Sequence, residues 1–319
     1  MDRLSLERDG TYGAKRRAPG QENTVDEAVR VALPGTCGEL VQGTLDGQDC
    51  LVSCPIGRYS IAEVCFQQGA GWTVPADAAK THTALQAGLA YIGQMHSSGC
   101  VHLHTELPRS RGYGSSTADI GATLYALGRA AGRGLTPVEV ARLALQVEPS
   151  DSSLFPGLAL WDHRYGQRYE DLGVSPSLTV LVLDPGGEVD TVAFNQLDHR
   201  QILRRLAPQH REAFALLHHG LQQGDMEAVG AAATLSATAH QAILCNPWLT
   251  QVLGLARDVK ALGVCRAHSG TLLGLLLDPR CTDVWSIVAL TARRFAPALT
   301  IFSVPLVSGG PRLLTGHTI

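Results

Sequence analysis

Apolar and polar positions alternate over residues 27–33 and again over 50–66, where β-branched residues are frequent. A period of two predicts strands there, the second broken at Pro55 and Gly57. Residues 75–95 carry a helical pattern that opens at Pro75. The segment "CVHLHTEL", 100–107, alternates cleanly and predicts a half-buried strand. After a polar loop, "STADIGATLYALGRAAG" predicts a helix packed closely through Ala and Gly. A second helix follows at once. Thr136, Pro137 and Glu139 stand at the N-cap, N1 and N3 positions of a capping box, and the helix is expected to end near Pro149. "LFPGLALWDH" and residues 178–184 predict strands, 198–239 a helical stretch with a break near Gly224, and 247–262 a further helix. "GVCRAHSGTLLGLLLD" reads as strand, tight turn, strand, and the chain closes with a helix over 283–294 and the strand "ALTIFSVPL". Strands first, then helices and strands interleaved, predict an α+β body in two lobes rather than a regular βαβ winding.

Composition narrows the function class. A chain of 319 residues with 45% hydrophobic content can bury a sizeable core. A net charge of -3 gives no general attraction to nucleic acid or to an acidic membrane surface. No apolar run reaches the length of a membrane span, and the polar tail 1–26 lacks the apolar stretch of an export signal. The eight cysteines form no CxxC pair and mostly sit in apolar stretches, which predicts reduced, buried thiols in a cytoplasmic protein.

The chemistry concentrates in "LPRSRGYGSSTADIGA", 107–122. A Walker A loop needs Gly-Lys, but Lys15, Lys80 and Lys260 follow Ala, Ala and Val. A dinucleotide fingerprint needs a third glycine where Thr117 stands. What remains is a strand, a glycine loop and a helix beginning with Ser115, Ser116 and Thr117. The first N–H groups of a helix have no internal acceptor, and the helix dipole adds positive potential there. Glycines let a phosphate approach closely, and hydroxyls add donors or metal ligands. The same residues also suit a plain capped helix, with Asp119 completing a capping box at Ser116. His102 and His104 share one strand face without a third ligand signal, and predict exposed strand histidines. Trp161 and Asp162 are expected to support the loop around Asp151.

At these residues the chain resembles the GHMP kinase superfamily. Pro108, Gly112, Gly114, Ser115, Ser116 and Thr117 match its second motif, "PGTCGELVQG" (34–43) its first, and "AHSGTLLGLLLD" (267–278) its third. The order and spacing fit over residues 27–305. "GTCGELVQG", "LVSCPI", "SSTADI", "EPSDSSLFPGLALWDH" and "AHSGTLLGLLLD" together resemble the branch that phosphorylates L-threonine for the aminopropanol linker of cobalamin. The chain departs from the usual loop in having Tyr113 and Arg111, neither of which removes a backbone donor.

The resemblance implies a ribosomal-protein-S5-like N-terminal lobe, 27–175, and a ferredoxin-like C-terminal lobe, 176–319. It implies ATP and Mg²⁺, with phosphates on the loop formed by Pro108, Arg111, Gly112, Tyr113, Gly114, Ser115, Ser116 and Thr117. Ser116 and Glu148 would hold the metal, and Asp151 is the candidate base or orienter of the acceptor hydroxyl. Asp151 equally suits an Asx-type loop cap. The superfamily's first-motif lysine is missing, so a lysine–aspartate dyad is not expected. Glu39 and Gln42 are candidates for the acceptor's ammonium and polar edges, with Arg266 or His268 as donor to its carboxylate. Ser269 and Gly270 would complete the phosphate-side wall. A homoserine kinase, another small-alcohol kinase of this superfamily, and a non-catalytic ligand sensor on the same fold are the competing expectations. Retained Ser116, Glu148 and Asp151 argue against the sensor. The oligomeric state is not legible.

Overall fold

The computed structural model describes residues 28–187 and 199–315. The tail 1–26 and the first residue of the 198–239 stretch therefore lie outside the described residues. Two long strands dominate: β1, Val29–Leu45, and β2, Gln48–Phe66, pair antiparallel as one hairpin. The sequence pattern ends the first strand at residue 33, because "PGTCGE" lacks alternation. The strand in fact runs on through it, with register shifts between Pro34 and Val41 that absorb the glycines and the proline. The hairpin turn is Asp46-Gly47, both with positive φ.

The remaining strands are β3, Trp72–Thr73, β4, Gly99–Thr105, β5, Ala159–Asp162, β6, Tyr169–Asp171, β7, Thr179–Asp184, β8, Gly263–Arg266, β9, Leu273–Leu277, β10, Thr300–Pro305 and β11, Arg312–Leu314. They form one sheet in the order β10-β7-β9-β8-β1-β2-β4-β3, with β11 on β1 and β5 on β2. β1 and β8 meet in a single register pair, Glu39 with Arg266. The two halves of the sheet are thus joined at two residues singled out from the sequence. β3, β6 and β11 are two or three residues long, too short to show a period.

The described helices are α1, Ala79–Ile92, α2, Ser115–Ala130, α3, Pro137–Leu145, α4, Arg200–Gln223, α5, Met226–Ala239, α6, Leu249–Asp258, and α7, Val284–Phe295. α1 starts four residues later than Pro75 suggests, because residues 75–78 close a turn in which Ala78 N–H donates to the Pro75 carbonyl. α3 has the capping box read from Thr136 and Glu139, but ends at Leu145 rather than near Pro149. α4 and α5 meet at Gly224, as the break near that glycine predicts.

α2 is buried at every position from Thr117 to Gly128. It packs on β1 and β2, with α1 and α3 against it. Only a helix rich in Ala and Gly fits there: a Cβ on Gly121 would collide with Leu33 and Leu154. α4 and α5 pack on each other and on β1. Four cysteines (Cys37, Cys50, Cys54, Cys265) are buried, but Cys65 and Cys100 are half-buried and Cys245 and Cys281 exposed. The expectation of buried thiols thus holds for four of the eight and is corrected for the other four; all eight are free. Among the described residues, no helix is long and apolar enough to cross a membrane.

Candidate active site

The glycine loop is held by its carbonyls. The Arg111 carbonyl accepts the N–H groups of Thr271 and Leu272 at 3.0 and 3.2 Å. The Gly112 carbonyl accepts from Gly38 at 3.2 Å, and that of Tyr113 from Thr36 at 2.8 Å. The first and third motifs thus tie down the carbonyl side of the second, which is the physical reason the three motifs belong together. Gly112 has φ +99°, and a Cβ there would overlap Ala267. Gly114 is the N-cap of α2 at φ +63° and makes no side-chain cap. A Cβ on Gly114 would sit 2.6 Å from Asp151 Oδ2.

The capping-box alternative for α2 is not realised. Asp119 instead accepts a 2.5 Å hydrogen bond from Ser60 inside the core. The start of α2 therefore faces a cleft of about 430 Å³, which Gly112, Gly114, Ser115, Ser116 and Thr117 line. Unpaired N–H groups and the positive end of the helix dipole suit this place to an anion.

Glu148 comes to the same cleft from the segment after α3. One of its carboxylate oxygens meets the Ser116 hydroxyl, and Oε2 accepts from Lys80 Nζ at 2.6 Å. Lys80 belongs to the first turn of α1 and was passed over in the sequence, where a lone lysine carries no pattern. Arg109 also lines the cleft and bonds Asp77. A hydroxyl and a carboxylate side by side suit Mg²⁺, which takes few protein oxygens and completes its shell with water and phosphate oxygens.

Asp151 lies beside this pair, its N–H donating to Thr117 Oγ1 at 3.2 Å. Burial, reinforced by the charge of Glu39, pushes its pKa up to about 7, against a lowering contribution from Thr117. That is a range suited to accepting a proton near neutrality. Glu39 is 7% exposed and lines the cleft. Its Oε2 accepts both the His268 N–H at 2.9 Å and His268 Nδ1 at 2.7 Å. His268 Nε2 in turn meets Ser236 Oγ at 3.1 Å. Burial pushes Glu39 up to about 8 and holds His268 well below the usual histidine range. The neutral imidazole thus positions the carboxylate.

The residues singled out in the sequence divide into two groups. Glu39, Gln42, Glu148, Asp151 and Ser269 share the cleft with the loop. His268 has no exposed surface and stands behind Glu39, so the structure makes it a partner of that carboxylate and not part of the cleft wall. Arg266 is also fully buried, spent on Gln241 and on the Leu244 and Ala267 carbonyls. Arg111 turns away to Asp184 at 3.2 Å, and the buried Tyr113 hydroxyl donates to the same carboxylate at 3.0 Å. Arg111 contributes to the loop through its backbone, and the Tyr113 side chain belongs to the core. Pro108 is half-buried outside the cleft lining, and Gly270 packs under the Arg111 backbone. His102 and His104 are exposed. Asp162 accepts three N–H groups of the turn that follows it rather than of the Asp151 loop; the bond to that loop is made by the His163 carbonyl, which accepts the Ser150 N–H.

The chain is similar to known proteins in sequence and in fold. The profile of the GHMP kinases N terminal domain matches residues 78–155. An L-threonine kinase of Salmonella typhimurium is 31% identical over 259 residues, 81% of this chain and 86% of that protein. An L-threonine kinase of Citrobacter freundii is 32% identical over 251 residues, 79% of this chain and 87% of that protein. Among solved structures, a homoserine kinase from Cytophaga hutchinsonii shares the fold with a TM-score of 0.73 at 18% identity, over 92% of this chain and 99% of that one. The motifs, the cleft they build and these likenesses agree: the chain belongs to the GHMP kinases, in the family of the L-threonine kinases.

Proposed function

We propose that this protein transfers the γ-phosphoryl group of ATP to the side-chain hydroxyl of L-threonine, giving L-threonine O-3-phosphate and ADP. The observation that carries the reading is the loop itself. Its carbonyls are tied to the first and third motifs, and the uncapped start of α2 is left to face Ser116, Glu148 and Asp151 in one cleft.

Phosphoryl transfer asks a protein for alignment and charge neutralisation more than for covalent chemistry. The N–H groups of residues 112–117 bind the phosphates. Ser116 and Glu148 would hold Mg²⁺, which when bound neutralises charge on the transferred group. Glu39 takes the acceptor's ammonium with its second oxygen, since His268 occupies the first. Asp151 orients the threonine hydroxyl and accepts its proton as the new O–P bond forms and the bond to the β-phosphate oxygen breaks. Lys80 holds the far oxygen of Glu148 and so fixes the carboxylate's direction. We assign the loop and its helix to an N-terminal lobe, 27–175, and the third motif to a C-terminal lobe, 176–319. We place the enzyme in the cytoplasm, making threonine phosphate for the cobalamin linker.

Purified protein incubated with ATP, Mg²⁺ and a panel of L-threonine, L-serine and L-homoserine tests the reading. Phosphorylated threonine as the main product is expected. Preferential turnover of homoserine, or none of threonine, overturns it.

A further inference from the structure

An amino acid brings a carboxylate as well as an ammonium, and a carboxylate taken out of water needs a cation or fixed donors. Among the described residues that line the cleft, the lysines and arginines are Lys80, Arg109 and Arg164. Lys80 is engaged by Glu148 and Arg109 by Asp77, both beside the nucleotide loop. Arg266 and Arg111, the other arginines near the motifs, are committed elsewhere.

Arg164 stands on a different wall. β5 pairs with β2 through Cys50 with Asp162 and Leu51 with Trp161, and β2 pairs with β1 through Leu51 with Gln42. This register carries the turn after Asp162 next to Gln42 and Leu51, which also line the cleft.

The turn is built rigidly. Asp162 accepts the N–H groups of Arg164, Tyr165 and Gln167 at 3.2, 3.1 and 3.1 Å. His163 N–H donates to the Asp49 carbonyl, and the His163 carbonyl accepts from Ser150, one residue before Asp151, each at 3.2 Å. Arg164 engages Asp49 through Nε at 3.1 Å. Its two terminal nitrogens have no partner among the described residues. His163 is 7% exposed and lines the cleft, yet its Nδ1 is buried without a hydrogen bond. Burial pushes that imidazole down to about 4, so it stays neutral and leaves Arg164 as the cation of this wall.

We propose that Arg164 binds the carboxylate of the acceptor and restricts the enzyme to alcohols that carry one. The inference rests on the reading of L-threonine as acceptor. Glu39 at the ammonium and Arg164 at the carboxylate then fix two corners of the substrate, and the third, its hydroxyl, is turned toward Asp151.

The test compares L-threonine with L-threoninamide, which lacks the charge, in wild type and in Arg164→Met. The variant is expected to raise KM for threonine on the order of 10- to 100-fold, the weight of a charge-assisted hydrogen-bonded pair. It leaves kcat within about threefold and KM for threoninamide nearly unchanged. Arg164→Lys recovers part of the loss, and an unchanged melting temperature shows that folding is intact. A threonine-over-threoninamide preference that survives Arg164→Met overturns the proposal, as does an equal loss for both acceptors. The threonine reading fails separately, in the wild type. A preference there for homoserine overturns that reading alone, and the same comparison is then read on homoserine and its amide. A wild type that prefers a carboxylate-free alcohol overturns both.

Discussion

The hydroxyl of Ser116 and the carboxylate of Glu148 are in contact, although 32 residues separate them. One sits in the first turn of α2 and the other just past the end of α3, so the packing of these two helices sets the contact. Two oxygens placed together at the positive end of a helix dipole, with Lys80 on the far side of the carboxylate, form the charged centre of the cleft.

Removing either oxygen should act on the chemical step. Glu148→Ala and Ser116→Ala are expected to lower kcat on the order of 100- to 1,000-fold, the size of a lost electrostatic group in a preorganised site. ATP affinity should fall far less, because the loop N–H groups remain. Steady-state kinetics beside equilibrium binding of an ATP analogue separates the two; unchanged turnover in Glu148→Ala would remove it from the metal role.

Lys80 is half exposed, so its pair with Glu148 adds little to stability. Lys80→Met should therefore leave the melting temperature nearly unchanged while reducing kcat about tenfold or more, by freeing the Glu148 carboxylate. A variant with normal kcat would show that Glu148 needs no such fixing.

Asp151 is held near 7, above the ordinary aspartate range, by burial first and then by Glu39. The deprotonated form is the one that accepts the hydroxyl proton, so kcat/KM should rise with pH through about 7 and level off above it. The stability consequence has the opposite sign. A carboxyl whose folded pKa exceeds its unfolded value costs the fold nothing below the unfolded value, and its full penalty above the folded one. Asp151→Asn should thus raise the melting temperature at pH 8 and leave it unchanged near pH 4, while turnover falls. Thermal melts at the two pH values decide this.

Glu39 is pushed up to about 8 by burial, so at pH 7 it is mostly protonated before substrate arrives. An ammonium group placed beside it favours the charged form. Binding of L-threonine at pH 7 should then be accompanied by net proton release. Titration calorimetry in buffers of different ionisation enthalpy reads this directly. Release should shrink above pH 9 and vanish in Glu39→Gln. A binding enthalpy independent of buffer would contradict the assignment.

Gly112 has φ +99° and no room for a Cβ against Ala267. Gly112→Ala should cost on the order of 1–3 kcal/mol through backbone strain and raise KM for ATP. A melting curve and ATP kinetics matching wild type would show that the loop adapts.

Much of this was legible in the amino-acid order. The loop from Gly112 to Thr117 is a local object: glycine spacing sets its backbone, and the alanine-rich run after it permits a buried helix. The capping box at Thr136 is equally local, and it formed. The extent of β1 was not legible, because register shifts against β2 override a segment with no alternation of its own. The sequence also marked His268 and Arg266 as ligand candidates from their place beside the third motif. The fold turned both inward, since β8 carries that segment through the join of the two sheet halves, where a buried Glu39 and the carbonyls near residue 244 consume their donors.

By itself, then, the sequence determined the glycine loop, the helix behind it and the presence of Glu148 and Asp151. Those depend on spacing within one turn or on short motifs. Only the tertiary structure decided which polar and charged groups line the cleft. Lys80, Arg109 and the adjacent pair His163 and Arg164 come from three separate places in the chain, and a single such residue in a sequence has no pattern to announce it. Strand pairing from β1 through β2 to β5 brings the last two beside Glu39's cleft, and helix packing brings the first beside Glu148. Long-range register, not local propensity, fixes those distances, and at a charged site distance and burial set the energy.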